Sequence, residues 1–130
     1  MNRELKRITY VEDEPDIRTI GELALTKVGN FTVDVCSSGA EALEKTPQFK
    51  PDLILLDVMM PGLDGIETFR SLQNIPETAG IPLIFMTAKA QKHEIQSYKD
   101  LGALDVIPKP FDPMTLAKDI AAIWNRMSDE

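Results

Sequence analysis

The 130-residue chain has a single cysteine, Cys36, and no CxxC pair or Cys/His cluster. It therefore holds neither an internal disulfide framework nor a zinc site. Basic residues are outnumbered, with 14 Lys and Arg against 21 Asp and Glu and a net charge of −7. That balance opposes nonspecific attraction to nucleic-acid phosphates and to anionic membrane surfaces. No apolar run approaches the ~20 residues needed to span a bilayer. The segment from Met1 to Arg7 is basic but lacks the apolar stretch of a secretion signal. Internal repeats, low-complexity tracts and Gly/Ser linkers are also missing. These absences describe a soluble protein expected in the cytoplasm, without direct nucleic-acid binding or membrane insertion. It reads as one domain over residues 1–130, with a core from about 6 to 127 and no effector domain.

With 43% hydrophobic residues the chain has the material for a core. A chain of about 150 residues buries roughly 70% of its unfolded surface, so neither a disulfide nor a structural metal is needed. Five short apolar runs alternate with five longer segments of helical period. The runs are 7–12, 31–36, 52–58, 82–87 and 104–108. Leu53-Ile54-Leu55-Leu56 and Leu83-Ile84-Phe85-Met86 are apolar at consecutive positions, as central strands covered on both faces are. Phe31, Val33 and Val35 alternate with Thr32, Asp34 and Cys36, while Leu104 and Val106 flank Asp105, with Ile107 the exception; alternation marks sheet edges.

The first helix enters through Pro15 and leaves at Gly29, with a stripe of Ile17, Ile20, Gly21, Ala24 and Val28. A capping-box pattern, Ser38-x-x-Glu41, opens the second, which the spacing predicts to end before Pro47. Asp64 with Glu67 opens the third, striped by Ile66, Phe69 and Leu72. The fourth carries Ile95, Tyr98 and Leu101, and the fifth runs from Asp112-Pro113 with Ala117, Ile120, Trp124 and Met127 on one face. Edge strands two and five imply a doubly wound α/β sheet of five parallel strands in order 2-1-3-4-5. In such a sheet ligands bind beyond the carboxyl ends of the strands where the winding reverses, between strands one and three.

Glu12 and Asp13 end the first strand and Asp57 ends the third. Asp57 sits at the mouth of the most apolar strand, where desolvation penalises its charge, and neighbouring carboxylates add repulsion. A hard divalent cation resolves the conflict, and magnesium suits it best, since it takes oxygen ligands from one or two carboxylates together with phosphate oxygens. An EF-hand is excluded, because Glu12, Glu14 and Asp16 lack the loop glycine and the glutamate at position twelve. A strand-end aspartate beside a cation is also a candidate nucleophile that forms an acyl phosphate. Thr87, closing the fourth strand, and Lys109, following the fifth between Pro108 and Pro110, supply charge stabilisers for the transferred group.

These pieces, each at a strand's carboxyl end, form a pattern. They are Tyr10-Val11-Glu12-Asp13-Glu14-Pro15, Leu56-Asp57-Val58-Met59-Met60-Pro61-Gly62-Leu63-Asp64-Gly65, Thr87-Ala88 and Lys109-Pro110-Phe111. Over essentially its whole length the chain resembles the receiver domain of two-component response regulators, in the chemotaxis-type single-domain form. The resemblance implies a flavodoxin-like fold and a phosphorylation switch. Asp57 would accept a phosphoryl group from the phosphohistidine of a histidine kinase or phosphotransfer protein. Magnesium would be held by Asp13, Asp57, the Met59 carbonyl and, through water, Glu12. Thr87 and Lys109 would contact the phosphoryl oxygens. The resemblance also implies a self-catalysed switch rather than an enzyme acting on other substrates. It would be a monomer or weak homodimer, read by a downstream protein at the fourth helix, fifth strand and fifth helix.

Two positions depart from the family pattern. Val106 stands where an aromatic usually swings inward with the threonine, and Glu12 stands where aspartate is frequent. Met59 and Lys89 occupy the positions that in this family tune the phosphoryl lifetime. Three other functions compete. A magnesium-dependent phosphatase would need an aspartate two residues after Asp57, where Met59 stands; a flavin carrier would need a phosphate loop where Glu12-Asp13-Glu14-Pro15 repels phosphate. The third, a degenerate receiver that only binds partners, is opposed by intact Asp13, Asp57, Thr87 and Lys109. The simpler readings are a helix cap for Glu12 and Asp13, a surface position for His93, an edge-strand packing role for Cys36 and a core role for Trp124.

Overall fold

The two runs apolar at every position become the middle of the sheet. β3 (Leu53–Asp57) and β4 (Leu83–Thr87) are buried along their whole length, because helices cover both faces. In this computed structural model residues 3–128 are described, so the readings that touch Met1, Asn2, Asp129 and Glu130 lie outside it. β1 (Arg7–Val11) pairs with β3 on one side and with β2 (Thr32–Cys36) on the other, and β5 (Asp105–Pro108) pairs with β4. All pairings are parallel, and the order is β2-β1-β3-β4-β5, as expected.

Between the strands run α1 (Pro15–Leu23), α2 (Gly39–Phe49), α3 (Gly65–Gln73) and α4 (Lys92–Leu101), with α5 (Leu116–Ser128) last. Two cores result. Ile8, Tyr10, Leu53, Leu55, Ile84 and Met86 meet Leu25, beyond α1, and α5 residues such as Leu116, Ile120 and Trp124. Val11, Ile54, Leu56, Leu83 and Phe85 meet Ala42, Phe69 and Leu72 of α2 and α3. The alternation of side chains along each strand sends successive residues into opposite cores. Burying each such Leu, Ile or Phe contributes about 1.5–3 kcal/mol, so the paired cores account for a fold that has no disulfide.

Three helix readings are corrected. The stripe on the first helix is Gly21, Ala24 and Leu25, while Ile20 and Val28 are exposed. Tyr10 explains the shift: its ring lies so close to Gly21 that an added Cβ there would collide with the Tyr10 hydroxyl. α1 rests on that ring through a glycine and then widens into a π-helical turn, Ala24–Val28, that rotates Leu25 inward. Pro47 does not end α2 but lies inside it, and the helix stops at Lys50, in the left-handed region, whose N–H donates to the Thr46 carbonyl at 3.0 Å. Proline here has no N–H to donate to the Leu43 carbonyl, so α2 forfeits one intrahelical bond and still continues to Phe49. α5 begins at Leu116, not at Asp112-Pro113: Asp112 accepts at its backbone oxygen from Thr115 and Leu116, forming a turn ahead of the helix.

The caps behave as their patterns suggest. Asp64 and Glu67 form both halves of a capping box on α3. On α2 Ser38 accepts from the Glu41 N–H, while the Glu41 carboxylate reaches one residue further back to the Ser37 N–H at 2.8 Å. α4 is the loosest helix. None of its residues is fully buried, and Ile95, Tyr98 and Leu101 are half-buried against the second core. Cys36 and Trp124 are buried and His93 is exposed, as expected. Burial pushes the Cys36 thiol up to about 12, so it stays protonated and inert.

Candidate functional site

The carboxyl ends of β1, β3 and β5 bring Glu12, Asp13, Asp57 and Lys109 together, Thr87 closes β4 beside Lys109, and Val106 lies apart in the second core. Glu12 follows β1 and is fully buried, its N–H still bonded to the Cys36 carbonyl at 3.0 Å. Asp13, next to it, is half-buried. Asp57 closes β3 with 2% of its surface exposed. One carboxylate oxygen from each of the three lies within 4.8 Å of the others. The close approach of α3 sharpens the corner after Asp57: a Cβ on Gly65 would collide with the Asp57 carbonyl oxygen, so only glycine fits.

Lys109 reaches across from the end of β5. Its Nζ lies 2.8 Å from Glu12 Oε1 and 3.4 Å from Asp57 Oδ1. The lysine is fixed from behind, because its N–H donates to the Thr87 carbonyl at 2.9 Å. Thr87 is buried, and its hydroxyl oxygen accepts the Lys89 N–H at 3.0 Å. The Met59 N–H lies 3.4 Å from Asp57 Oδ1. Met59 is 66% exposed, whereas Met60 packs into the second core, so the adjacent methionines split between crevice rim and interior.

The electrostatics follow from crowding. Burial first, then the hydrogen bond and charge of Glu12, raise the Asp57 carboxyl to about 7, while Lys109 pulls it back. Burial opposes the charge on Lys109, but Glu12 and Asp57 outweigh it and hold the ammonium above the ordinary lysine value. Three carboxylates thus face one ammonium, in an all-oxygen donor set. A hard divalent cation fits this arrangement, since it supplies the positive charge the crevice lacks.

Two features escaped the sequence reading. The Arg18 side chain donates from Nη1 to the backbone oxygens of Glu12, at 3.0 Å, and Asp13, at 3.1 Å. The Glu14 N–H donates to Glu12 Oε2 at 3.2 Å. Arg18 lies one turn into α1, on the side facing back over the β1–α1 loop, and that placement was the only signal available. Val106 is buried in the second core, paired across the sheet with Phe85. The ring next to Phe85 on that side is Tyr98 of α4, 5.3 Å between centroids, and Phe69 completes the cluster at 5.5 Å.

The family model for the response regulator receiver domain matches residues 8–121. This chain belongs to that family. Among curated relatives, the Bacillus subtilis alkaline phosphatase synthesis transcriptional regulatory protein PhoP is 39% identical over 121 residues, covering 93% of this chain and 49% of the relative. The DNA-binding response regulator MtrA of Mycobacterium tuberculosis is 34% identical over 125 residues, covering 96% and 53%. The chain thus spans about half the length of the curated relatives it matches. Among solved structures, Vibrio cholerae chemotaxis protein CheY4 superimposes with a TM-score of 0.82 at 28% identity, covering 92% of this chain and 99% of that one. The receiver domain of sensor histidine kinase PA1611 from Pseudomonas aeruginosa, solved with magnesium coordinated in its active site cleft, gives 0.79 at 25% identity, covering 98% and 100%. The fold is the CheY-like receiver fold, and the chain is a receiver module of two-component signalling. No helix among the described residues is long and apolar enough to cross a membrane.

Proposed function

We propose that this receiver is a magnesium-dependent phosphoacceptor switch in which Asp57 is the nucleophile. A carboxylate oxygen of Asp57 attacks the phosphorus of a phosphohistidine on a histidine kinase or phosphotransfer protein. The P–N bond breaks, the imidazole leaves, and an acyl phosphate remains on Asp57. Asp13 and Asp57, the Met59 carbonyl and, through water, Glu12 would hold the cation, which when bound would supply charge neutralisation for the phosphoryl oxygens. Lys109 moves from its carboxylate partners to a phosphoryl oxygen, and the Thr87 hydroxyl takes another. Hydrolysis of the acyl phosphate is catalysed by the domain itself, so the chain is a switch rather than an enzyme with an external substrate.

One observation carries this reading: a buried carboxylate at the end of the central strand, 3.4 Å from an ammonium and within 4.8 Å of two further carboxylates. A bare structural role gives no reason to keep so much negative charge together. The net charge of −7 opposes direct contact between this chain and nucleic-acid phosphates, which supports a protein as the partner of this module. The partner reads the α4–β5–α5 face, with the chain acting as a monomer or weak homodimer. Val106 stands in place of an aromatic, and the aromatic ring that α4 packs on Phe85 of β4 is Tyr98.

Intact-mass spectrometry after incubation with acetyl phosphate tests the proposal. The expected result is a gain of one phosphoryl group that requires magnesium and is lost in Asp57→Asn. The absence of an adduct, together with no amide-shift response to beryllofluoride and magnesium, would contradict it and leave a phosphorylation-independent binding module.

A further inference from the structure

The β1–α1 loop must hold Glu12 and Asp13 close to Asp57 at a point where the strand ladder has ended and α1 has not begun. Past the Glu12 N–H, which still donates to the Cys36 carbonyl at 3.0 Å, the backbone has left the strand ladder, and the repulsion among the three carboxylates pushes it outward. Arg18 acts against both. Its Nη1 carries two hydrogens, and they go to two successive backbone oxygens, Glu12 at 3.0 Å and Asp13 at 3.1 Å. The anchor is firm, because the Arg18 N–H also donates to the Glu14 carbonyl at 2.8 Å in the first turn of α1. The far side of the same loop is tied by the Glu14 N–H on Glu12 Oε2 at 3.2 Å, with Lys109 on the other oxygen at 2.8 Å. The Glu12 carboxylate is therefore gripped at both oxygens, and Arg18 grips the backbone that carries it.

We propose that Arg18 is a positioning residue for the cation site, its guanidinium presetting the β1–α1 loop so that the acidic pair meets Asp57 before any ion arrives. This rests on the magnesium reading above. A side chain that bonds backbone rather than ligand acts through geometry, as second-layer partners of metal ligands do. Geometry and charge here predict opposite signs. Removing a positive charge beside three carboxylates would by Coulomb's law alone tighten cation binding. Releasing the loop would weaken it.

The test is magnesium titration of the whole chain, wild type against Arg18→Met, followed by amide shifts, with amide exchange measured in metal-free buffer. The positioning role predicts magnesium affinity lower by about tenfold in Arg18→Met. It also predicts exchange of the Glu14 amide faster by about tenfold without metal. Arg18→Gln, which also removes the charge, gives the same sign and serves if the methionine variant fails to fold. Equal or tighter magnesium binding in the folded neutral variant, or unchanged Glu14 exchange, would overturn the proposal while leaving the magnesium reading intact. A wild type with no response to magnesium would overturn both.

Discussion

Two groups of buried polar side chains, one at the carboxyl ends of the strands and one between β1 and α2, meet opposite fates. At the carboxyl ends of the strands, Glu12 and Asp57 are buried with Lys109 between them, and each carboxylate has donors within reach. Beneath α2, the hydroxyls of Thr9 on β1 and Thr46 are equally buried and have no hydrogen-bond partner. Thr9 shares the strand face of Val11, and Thr46 lies one turn along α2 from Ala42, so both face the second core. The comparison separates two kinds of cost. Under α2 an unpaired hydroxyl is a plain loss, with nothing gained at that place. In the crevice the remaining imbalance, three carboxylates against one ammonium, is the property a cation and a phosphoryl group would use.

The largest expected effect comes from removing the ammonium. Lys109→Met leaves Glu12 and Asp57 without their cation and should destabilise the metal-free protein by about 2–4 kcal/mol in urea unfolding. Added magnesium should restore part of it. A loss below about 0.5 kcal/mol, the size expected of an ordinary surface change, would show that the crevice is not held by this pair.

Asp57→Asn should act in the other direction. The folded chain holds the Asp57 proton up to about 7, against 3.8 for the ordinary carboxyl. Between those values the folded state binds more protons than the unfolded state, so this group lowers stability as pH rises and its full penalty stands above 7. Removing the charge should therefore raise metal-free stability by about 1–2 kcal/mol at pH 8, and by nothing measurable near pH 3. Thermal unfolding at the two pH values checks both sign and window. Equal shifts at both would mean the gain comes from packing.

The smallest effect belongs to α2. Thr46→Val, or Thr9→Val, replaces an unpaired buried hydroxyl with a methyl of similar size and should stabilise by about 1 kcal/mol. The gain should be the same across the pH range, because no titrating group is involved. A loss of stability in either variant would show that the hydroxyl has a partner, a buried water included.

How much of this was legible follows from the kind of signal each part carries. The strands and their order were readable because Leu53–Leu56 and Leu83–Met86 are apolar at every position and the flanking runs alternate. The five crevice side chains were readable because each is an ionisable or hydroxyl residue at the end of an apolar run. The register of α1 was not, because it depends on a contact between Tyr10 and Gly21 that no local periodicity encodes. Pro47 misled because proline opposes helix interiors, yet α2 runs through it at the loss of one bond and stops only at Lys50. Arg18 looked like one more charged residue on a helix surface, and only the folded loop shows its two bonds.

Everything proposed for the crevice depends on Asp57 being a carboxylate held at a cost until a cation arrives. Following its carboxyl carbon by NMR through a pH titration, with and without magnesium, tests this most directly. The expected result is a midpoint near 7 in the metal-free chain and a marked downward shift when magnesium is present. A midpoint at the ordinary 3.8 in both conditions would contradict it.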